Sequence, residues 1–303
     1  MESRAGFRRQ RRACQNRWVV ALSEAVEELR SDRIHGGSWM ARRAVEALLE
    51  VSAEPAASTA DLLERVLAAG RKLATARPAM GAITHAVGRL VASAQTVSHL
   101  EPDDLQRLVF DEANALIASR DRAAVSIAVH LAPSLRDAMV LTHSSSATVR
   151  EAVRHTPPAR LFCTVSAPFE EGRQLAEDLG TEGLEVELVG DDDLDRALET
   201  VSLVLVGADT VYEDGSVKNK IGTRPLAEAA RRRGIRTLVA CELLKLAPVP
   251  PPAVEDEPEL RDTTPSELVD EIVTEEGPIA PEDVKSQIER TPFLRDGYRL
   301  LTA

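Results

Sequence analysis

The feature that most constrains this chain is a change of hydrophobic period near Pro133. Ahead of it, apolar residues recur at helical spacing; beyond it, short apolar runs alternate with amphipathic stretches. Ala138-Met139-Val140-Leu141, Leu161–Val165, Leu184–Val189, Leu203–Val206 and Ile235–Cys241 read as strands. Segments 147–154, 170–179, 193–199 and 225–233 read as helices, with Gly180 and Gly234 as stops. Strands that return through a helix each time lie parallel and bury both faces. The predicted fold class is therefore α/β, with a doubly wound, mostly parallel sheet over 134–303.

Upstream, Val19, Leu22, Val26 and Leu29 fall on one helix face. A second helix is expected from near Ser38, carrying Val45, Leu48 and Leu49. Ser58 followed by Asp61 makes an N-cap for a third over 62–76. Pro78 and Pro102 stand ahead of two further runs, one with Ile83, Val87, Leu90 and Val91, the other with Leu105, Leu108, Val109, Leu116 and Ile117. Residues 17–133 thus read as a helical domain of four to six helices. The segment 1–16 is rich in arginine and poor in apolar period, and it reads as a disordered basic tail or as residues ahead of the native start. A nucleic-acid-binding arm is the sharper alternative.

A formal charge of −12 argues against broad nucleic-acid affinity, which needs a basic surface. No apolar run is long enough to span a membrane, and no signal-peptide centre is present. The three cysteines, Cys14, Cys163 and Cys241, are far apart, and the last two sit in strand-like runs as buried, inert thiols. No spacing suits a metal, and the expectation is a reduced, cytoplasmic protein without cofactor.

Chemistry concentrates at the carboxyl ends of the expected strands, where open α/β sheets hold ligands. Val204–Val206 runs into Gly207-Ala208-Asp209, and a loop with Asn219 and Lys220 follows before a helix with Thr223 as its N-cap. Asp209 reads either as a turn cap or as an acid/base; Asn219 and Lys220 read as solvated loop residues or as contacts to a sugar hydroxyl and a phosphate. Two of the chain's five lysines fall at 218–220. Thr142-His143-Ser144-Ser145-Ser146 ends the first strand at a helix start, where hydroxyls and free N–H groups make either a plain N-cap or an anion site. His143 and Ser144 are adjacent and so ill placed to act as a pair.

The Gly207-Ala208-Asp209 and Asn219–Thr223 block resembles the GAD…NKIGT signature of one family. That family holds the α, β and δ regulatory subunits of translation initiation factor 2B and two sugar-phosphate isomerases, acting on ribose 1,5-bisphosphate and methylthioribose 1-phosphate. Arg33-Ile34-His35-Gly36-Gly37-Ser38 is similar to its RIRGA segment, and Ala76-Arg77-Pro78 to its ARPT. The resemblance covers most of the chain from about Arg17. It implies a helical domain packed on a Rossmann-like domain with a pocket between them, a homodimer or higher oligomer, and phosphate contacts from Arg33, Gly36, Gly37 and Arg77.

In the isomerases the Asp resembles a general acid/base and the run after the first strand reads THC, its cysteine the partner of the Asp. Here Ser144 stands in that position, and a Glu-x-Arg-Pro run after the second strand is replaced by Val165-Ser166-Ala167-Pro168. A hydroxyl is far harder to ionise than a thiol. The resulting expectation is a non-catalytic regulatory protein that binds a phosphorylated sugar or nucleotide through Ser144, Ser145, Ser146, Asp209, Asn219 and Lys220. Its partner would be a protein such as the α subunit of initiation factor 2. The alternative is an aldose–ketose sugar-phosphate isomerase using Asp209 with Ser144 or water. An unrelated doubly wound enzyme is a third reading, and the chain lacks the GxGxxG turn of dinucleotide binders.

Overall fold

The computed structural model describes residues 4–33, 35–78, 80–255 and 257–302, with side chains from Trp18 onward except Asp121. The chain forms two compact units: Met1–Pro78 with Ile83–Ile117 and Phe293–Ala303, and Ala79–Ala82 with Ala118–Pro292. No helix among the described residues is long and apolar enough to cross a membrane.

Five helices come first: α1 (Arg4–Ser31), α2 (Gly37–Ala53), α3 (Thr59–Ala74), α4 (Gly81–Thr96) and α5 (Pro102–Leu135). The first begins inside the basic segment read as a tail. Leu22, Val26 and Leu29 are buried on its inner face, while Val19 is 38% exposed. The Ser58 hydroxyl accepts the Asp61 N–H at 3.2 Å, which is the cap its spacing predicts. Pro102 opens α5, where a missing N–H costs nothing. The change of period at Pro133 marks a domain boundary in the sequence, yet α5 runs through it to Leu135. Its last turns bury Ile127, Ala128, Leu131 and Leu135 with the sheet residues Leu203, Leu205 and Leu238, so the division between units falls within α5 instead.

The second unit alternates as predicted: β1 (Met139–Thr142), α6 (Ala147–His155), β2 (Arg160–Thr164), α7 (Glu171–Thr181), β3 (Val186–Val189), α8 (Leu194–Ala197) and β4 (Leu203–Val206). It continues through β5 (Thr210–Tyr212), β6 (Val217–Lys220), α9 (Thr223–Arg232), β7 (Arg236–Ala240), β8 (Leu246–Ala247), β9 (Arg261–Thr264), β10 (Glu271–Thr274), β11 (Gly277–Ile279) and α10 (Val284–Glu289). The main sheet has the order β11-β10-β7-β4-β1-β2-β3 and is parallel except at the β10–β11 edge. From β1 the chain winds outward through β2 and β3, then restarts at β4 and winds the other way through β7. The winding therefore reverses between β1 and β4, and the carboxyl ends of two such strands are where open α/β sheets hold their ligands.

A second sheet, β8-β5-β6-β9, has no counterpart in the sequence reading. Its strands are two to four residues long and carry sequences such as Val-Lys-Asn-Lys and Arg-Asp-Thr-Thr, so they show no apolar run. The turn Glu213-Asp214-Gly215 closes the β5–β6 hairpin, with Gly215 at φ 81° and the Asp214 carboxylate accepting the Ser216 N–H. Asn219 and Lys220 are thus strand residues and not part of a loop, and Arg261 opens β9. The final helix, α11 (Pro292–Thr302), belongs with the first unit: Gly297 and Gly88 bring two helix backbones together, and a Cβ on Gly88 would lie 2.6 Å from the Gly297 carbonyl carbon.

Helix α7 does not stop at Gly180. It continues to Thr181 and ends at Gly183, whose φ of 90° suits the left-handed stop, with the Leu184 N–H returning to the Leu179 carbonyl. Gly172, the second residue of the helix, is needed for a different reason: a Cβ there would sit 1.8 Å from the Thr164 carbonyl oxygen. Gly172→Ala is expected to destabilise the protein by about 3 kcal/mol in urea unfolding. Gly180→Ala, which meets open space on a helix, is expected to stabilise it by up to about 1 kcal/mol.

Candidate functional site

The carboxyl end of β1 turns sharply at Ser144, which has φ 62°. The turn is held by a chain of hydrogen bonds rather than by packing. The Ser144 N–H donates to the Ser166 hydroxyl at 2.7 Å, and Ser166 Oγ lies 2.7 Å from Thr164 Oγ1, which in turn lies 2.6 Å from His143 Nδ1. On its other side His143 Nε2 meets the Ile221 carbonyl at 2.8 Å. A carbonyl can only accept, so Nε2 carries the hydrogen and Nδ1 accepts from Thr164. Burial holds the His143 pKa below its ordinary value, which favours this neutral form. The ring also fills the space beside Gly222, where a Cβ would approach it within 2.8 Å. Residues 143, 164, 166 and 221 therefore tie the β1 turn to the end of β6.

Ser145 is exposed, and Ser144 and Ser146 are half-buried. Ser146 caps α6 by accepting the Val149 N–H at 3.4 Å. Gly207 sits directly against it, since a Cβ at 207 would fall 2.6 Å from Ser146 Oγ. The glycine of Gly207-Ala208-Asp209 is what lets the ends of β4 and β1 approach. Asp191 supports the neighbouring turn, its two oxygens accepting the Ser166 and Ala167 N–H groups at 2.9 and 2.8 Å.

Asp209, two residues beyond Gly207, is 9% exposed and forms an ion pair through Oδ2 with Arg261 of β9. Lys220 is 5% exposed; its ammonium donates to Glu171 Oε1 at 2.8 Å and lies 5.0 Å from the Phe169 ring centre. The Asn219 amide donates to Thr223 Oγ1 at 3.1 Å, and that hydroxyl donates to the Lys220 carbonyl at 2.6 Å. Thr223 is thus the first helical residue and not the N-cap; Gly222 at φ 100° holds that place, and Asp262 accepts the Gly222 N–H at 2.7 Å. At the end of β7, Glu242 stands between Lys245 at 3.4 Å and Arg120 at 3.6 Å, all three nine-tenths or more buried.

Cys163 cannot replace the absent thiol. It is buried, its Sγ rests 3.4 Å from the Thr164 carbonyl oxygen, and burial pushes its pKa up to about 12. Among the described residues no group of three or more His, Cys, Asp or Glu side chains is placed to hold a metal ion.

Arg33, Gly36, Gly37 and Arg77 belong to the first unit. Arg33 is exposed and bonds the Arg30 and Asp32 carbonyls at 2.6 and 2.9 Å. Arg77, 3% exposed, donates to the same Asp32 carbonyl at 2.6 Å. The Asp32 carboxylate also binds His35 through its N–H and ring, and the ring stacks on Trp39 at 3.9 Å. Gly36 is the N-cap of α2 in an extended conformation, and Gly37 is its first helical residue.

A model of the initiation factor 2 subunit family matches residues 33–263. The chain belongs to that family. A Haloferax volcanii member named ribose 1,5-bisphosphate isomerase is 31% identical over 293 residues, covering 87% of this chain and 90% of its own. A Pyrococcus furiosus member named putative translation initiation factor eIF-2B subunit 2-like is 32% identical over 225 residues, covering 73% and 77%. The solved structure of the Pyrococcus horikoshii translation initiation factor eIF-2B superposes with a TM-score of 0.73 at 26% identity, over 86% of this chain and 97% of that one.

The family relatives overturn the expectation of a non-catalytic regulatory protein, because members similar over most of this chain carry the isomerase name. Ser144, Val165 and Ala167 counted in the sequence as lost chemistry. In the fold, Ser166 of that run instead carries the Ser144 turn, and Asp209 keeps its buried place at the strand end. The sequence reading missed Arg261, Glu171, Thr164, Ser166, Glu242 and Lys245. Only Glu242 and Lys245 left a signal, as charges directly after an expected strand.

His143 generates a pH test. A folded-state pKa below 6.5 means that the unfolded chain takes up a proton first as pH falls, so stability present above pH 6.5 is lost below it. Burial raises the Asp262 pKa to about 6 and also raises that of Glu275, and these two act in the opposite sense. The difference between the unaltered protein and His143→Gln isolates the histidine. Urea unfolding is expected to show the unaltered protein losing up to about 1.4 kcal/mol per pH unit below 6.5 relative to the variant.

Proposed function

We propose that this family member is an aldose–ketose sugar-phosphate isomerase of the ribose 1,5-bisphosphate type. The observation that carries the reading is Asp209, a buried carboxylate just past the carboxyl end of β4, where the winding of the sheet reverses, held through one oxygen by Arg261. The isomerase names of relatives spanning most of the chain support it.

The reaction rearranges a sugar phosphate without a co-reactant: a proton leaves C2 and one is delivered to C1, while the C2 hydroxyl gives up its proton to become the ketone and the ring oxygen takes one as its bond to C1 breaks. Such chemistry needs a positioned acid/base next to the carbon framework and an anchor for the phosphate. Asp209 is the acid/base in this proposal. Lys220 and Asn219 on β6 are the phosphate and hydroxyl contacts, and Ser144, Ser145 and Ser146 offer hydroxyls ahead of α6. Lys245, buried one strand further along the same edge, supplies a second positive charge suited to a doubly phosphorylated substrate. Arg33, Gly36, Gly37 and Arg77 are carried forward as phosphate contacts on the resemblance. So is association into a homodimer or larger assembly, for which Val125 and Val129, one turn apart on α5 and 48% and 52% exposed, offer an apolar face.

Incubation of the pure protein with ribose 1,5-bisphosphate is expected to yield the 2-ketose bisphosphate. Asp209→Asn should lower kcat by about 10²- to 10⁴-fold, measured on protein that circular dichroism shows to be folded at the assay temperature. Absence of turnover in the unaltered protein, or equal turnover in Asp209→Asn, would reject the proposal. Light scattering should give at least twice the 32.9 kDa chain mass.

A further inference from the structure

Lys220 is already occupied. Its ammonium donates to Glu171 Oε1 at 2.8 Å, and the two side chains are 6% and 18% exposed. Neither end is free to drift. Lys220 sits in the β6–β9 ladder opposite Arg261, and Glu171 opens α7 immediately before Gly172, which rests on the Thr164 carbonyl. The second oxygen of Glu171, Oε2, is buried and accepts no hydrogen bond among the described residues. A desolvated carboxylate held by one contact is costly to bury and still attracts any donor or cation that reaches it. Phe169 stands on another side of the ammonium, with its ring centre 5.0 Å away, and the residue is 47% exposed.

An ammonium has three donors, so a phosphate oxygen can reach Lys220 beside Glu171, but only by bringing two like charges close together where water is scarce. We propose that Glu171 is a specificity-determining residue that holds Lys220 as an internal stand-in for the ligand's anionic group. A phosphate gains Lys220 only against this carboxylate, whereas a neutral hydroxyl can share the ammonium with it. Glu171 thereby sets how strongly the site prefers anionic over neutral ligands. The inference rests on the reading of Lys220 as the phosphate contact, but it does not depend on turnover.

The test is calorimetric titration with inorganic phosphate of the unaltered full chain, Glu171→Gln, Lys220→Ala and the double variant, with circular dichroism and heat unfolding on each. Glutamine keeps the size of the side chain and removes the charge. Glu171→Gln should bind phosphate about tenfold more tightly. Lys220→Ala should lose binding, and the double variant should show no gain. Where turnover is measurable, Glu171→Gln should lower KM for ribose 1,5-bisphosphate more than it changes kcat. Equal or weaker phosphate binding by a folded Glu171→Gln would overturn the proposal, and so would phosphate binding indifferent to Lys220→Ala. Should Glu171→Gln not fold, Glu171→Asp, which draws the carboxylate back from the ammonium, must show the same direction of change or the proposal fails. A protein without isomerase activity but with the phosphate gain would refute the function proposed above and leave this inference standing.

Discussion

The second unit is governed by the burial of positive charge. Lys218, Lys220 and Lys245 are 0–5% exposed, and Arg120 and the Arg261 side chain are nearly as enclosed. A cation taken out of water must meet an anion, and removing one partner of such a pair typically costs about 3–5 kcal/mol. Each of these cations has one: Lys218 pairs with Glu255 at 3.0 Å, Lys220 with Glu171, Lys245 and Arg120 with Glu242, and Arg261 with Asp209. Those pairs fix where β6, β9, α5 and α7 can lie, because their charged ends have nowhere else to go. They also mean that this region is electrostatically balanced before any ligand arrives. On the proposed reading, an anionic substrate competes with carboxylates already in place.

The uncharged bonds do complementary work. His143 bridges Thr164 and the Ile221 carbonyl, and through Ser166 the same chain reaches the Ser144 N–H. Three segments far apart in sequence are thereby held in one arrangement. Glycines allow the approach: Gly207 admits Ser146, and Gly222 admits the His143 ring. A side chain at either glycine would push the β1 turn away from Asp209 or from Lys220, so the signature glycines serve geometry that the chemistry requires.

Much of the fold is legible in the sequence because the strands of the main sheet are buried on both faces. Leu203–Val206 and Arg236–Ala240 read as apolar runs, and the helices between them show their own period. The second sheet is not legible, because Lys218 and Lys220 are charged residues in strands and look like loop chemistry until their partners are seen. Those partners, Glu255 and Glu171, lie tens of residues away, and no local pattern specifies a pair of that kind. For the same reason Asp209, Asn219 and Lys220 can be picked out as candidates, while Arg261 and Glu171 cannot. Gly180 misled for a simpler reason: glycine marks a helix end only where φ is positive, and here that residue is Gly183.

The serine at 144 takes on a different weight in this setting. A thiolate would add a negative charge to a region where the basic groups are already matched by Asp209, Glu171 and Glu242. A hydroxyl adds none, and it sits on a turn whose N–H is already committed to Ser166. In the isomerase reading proposed above, a neutral residue there leaves the proton traffic to the carboxylate at the end of β4, with the arginine beside it. The loss of the cysteine therefore does not empty the site. On the proposed reading the demand for a charged acid/base rests on the Asp209–Arg261 pair, and the carboxylate at Glu171 is what a phosphate has to overcome.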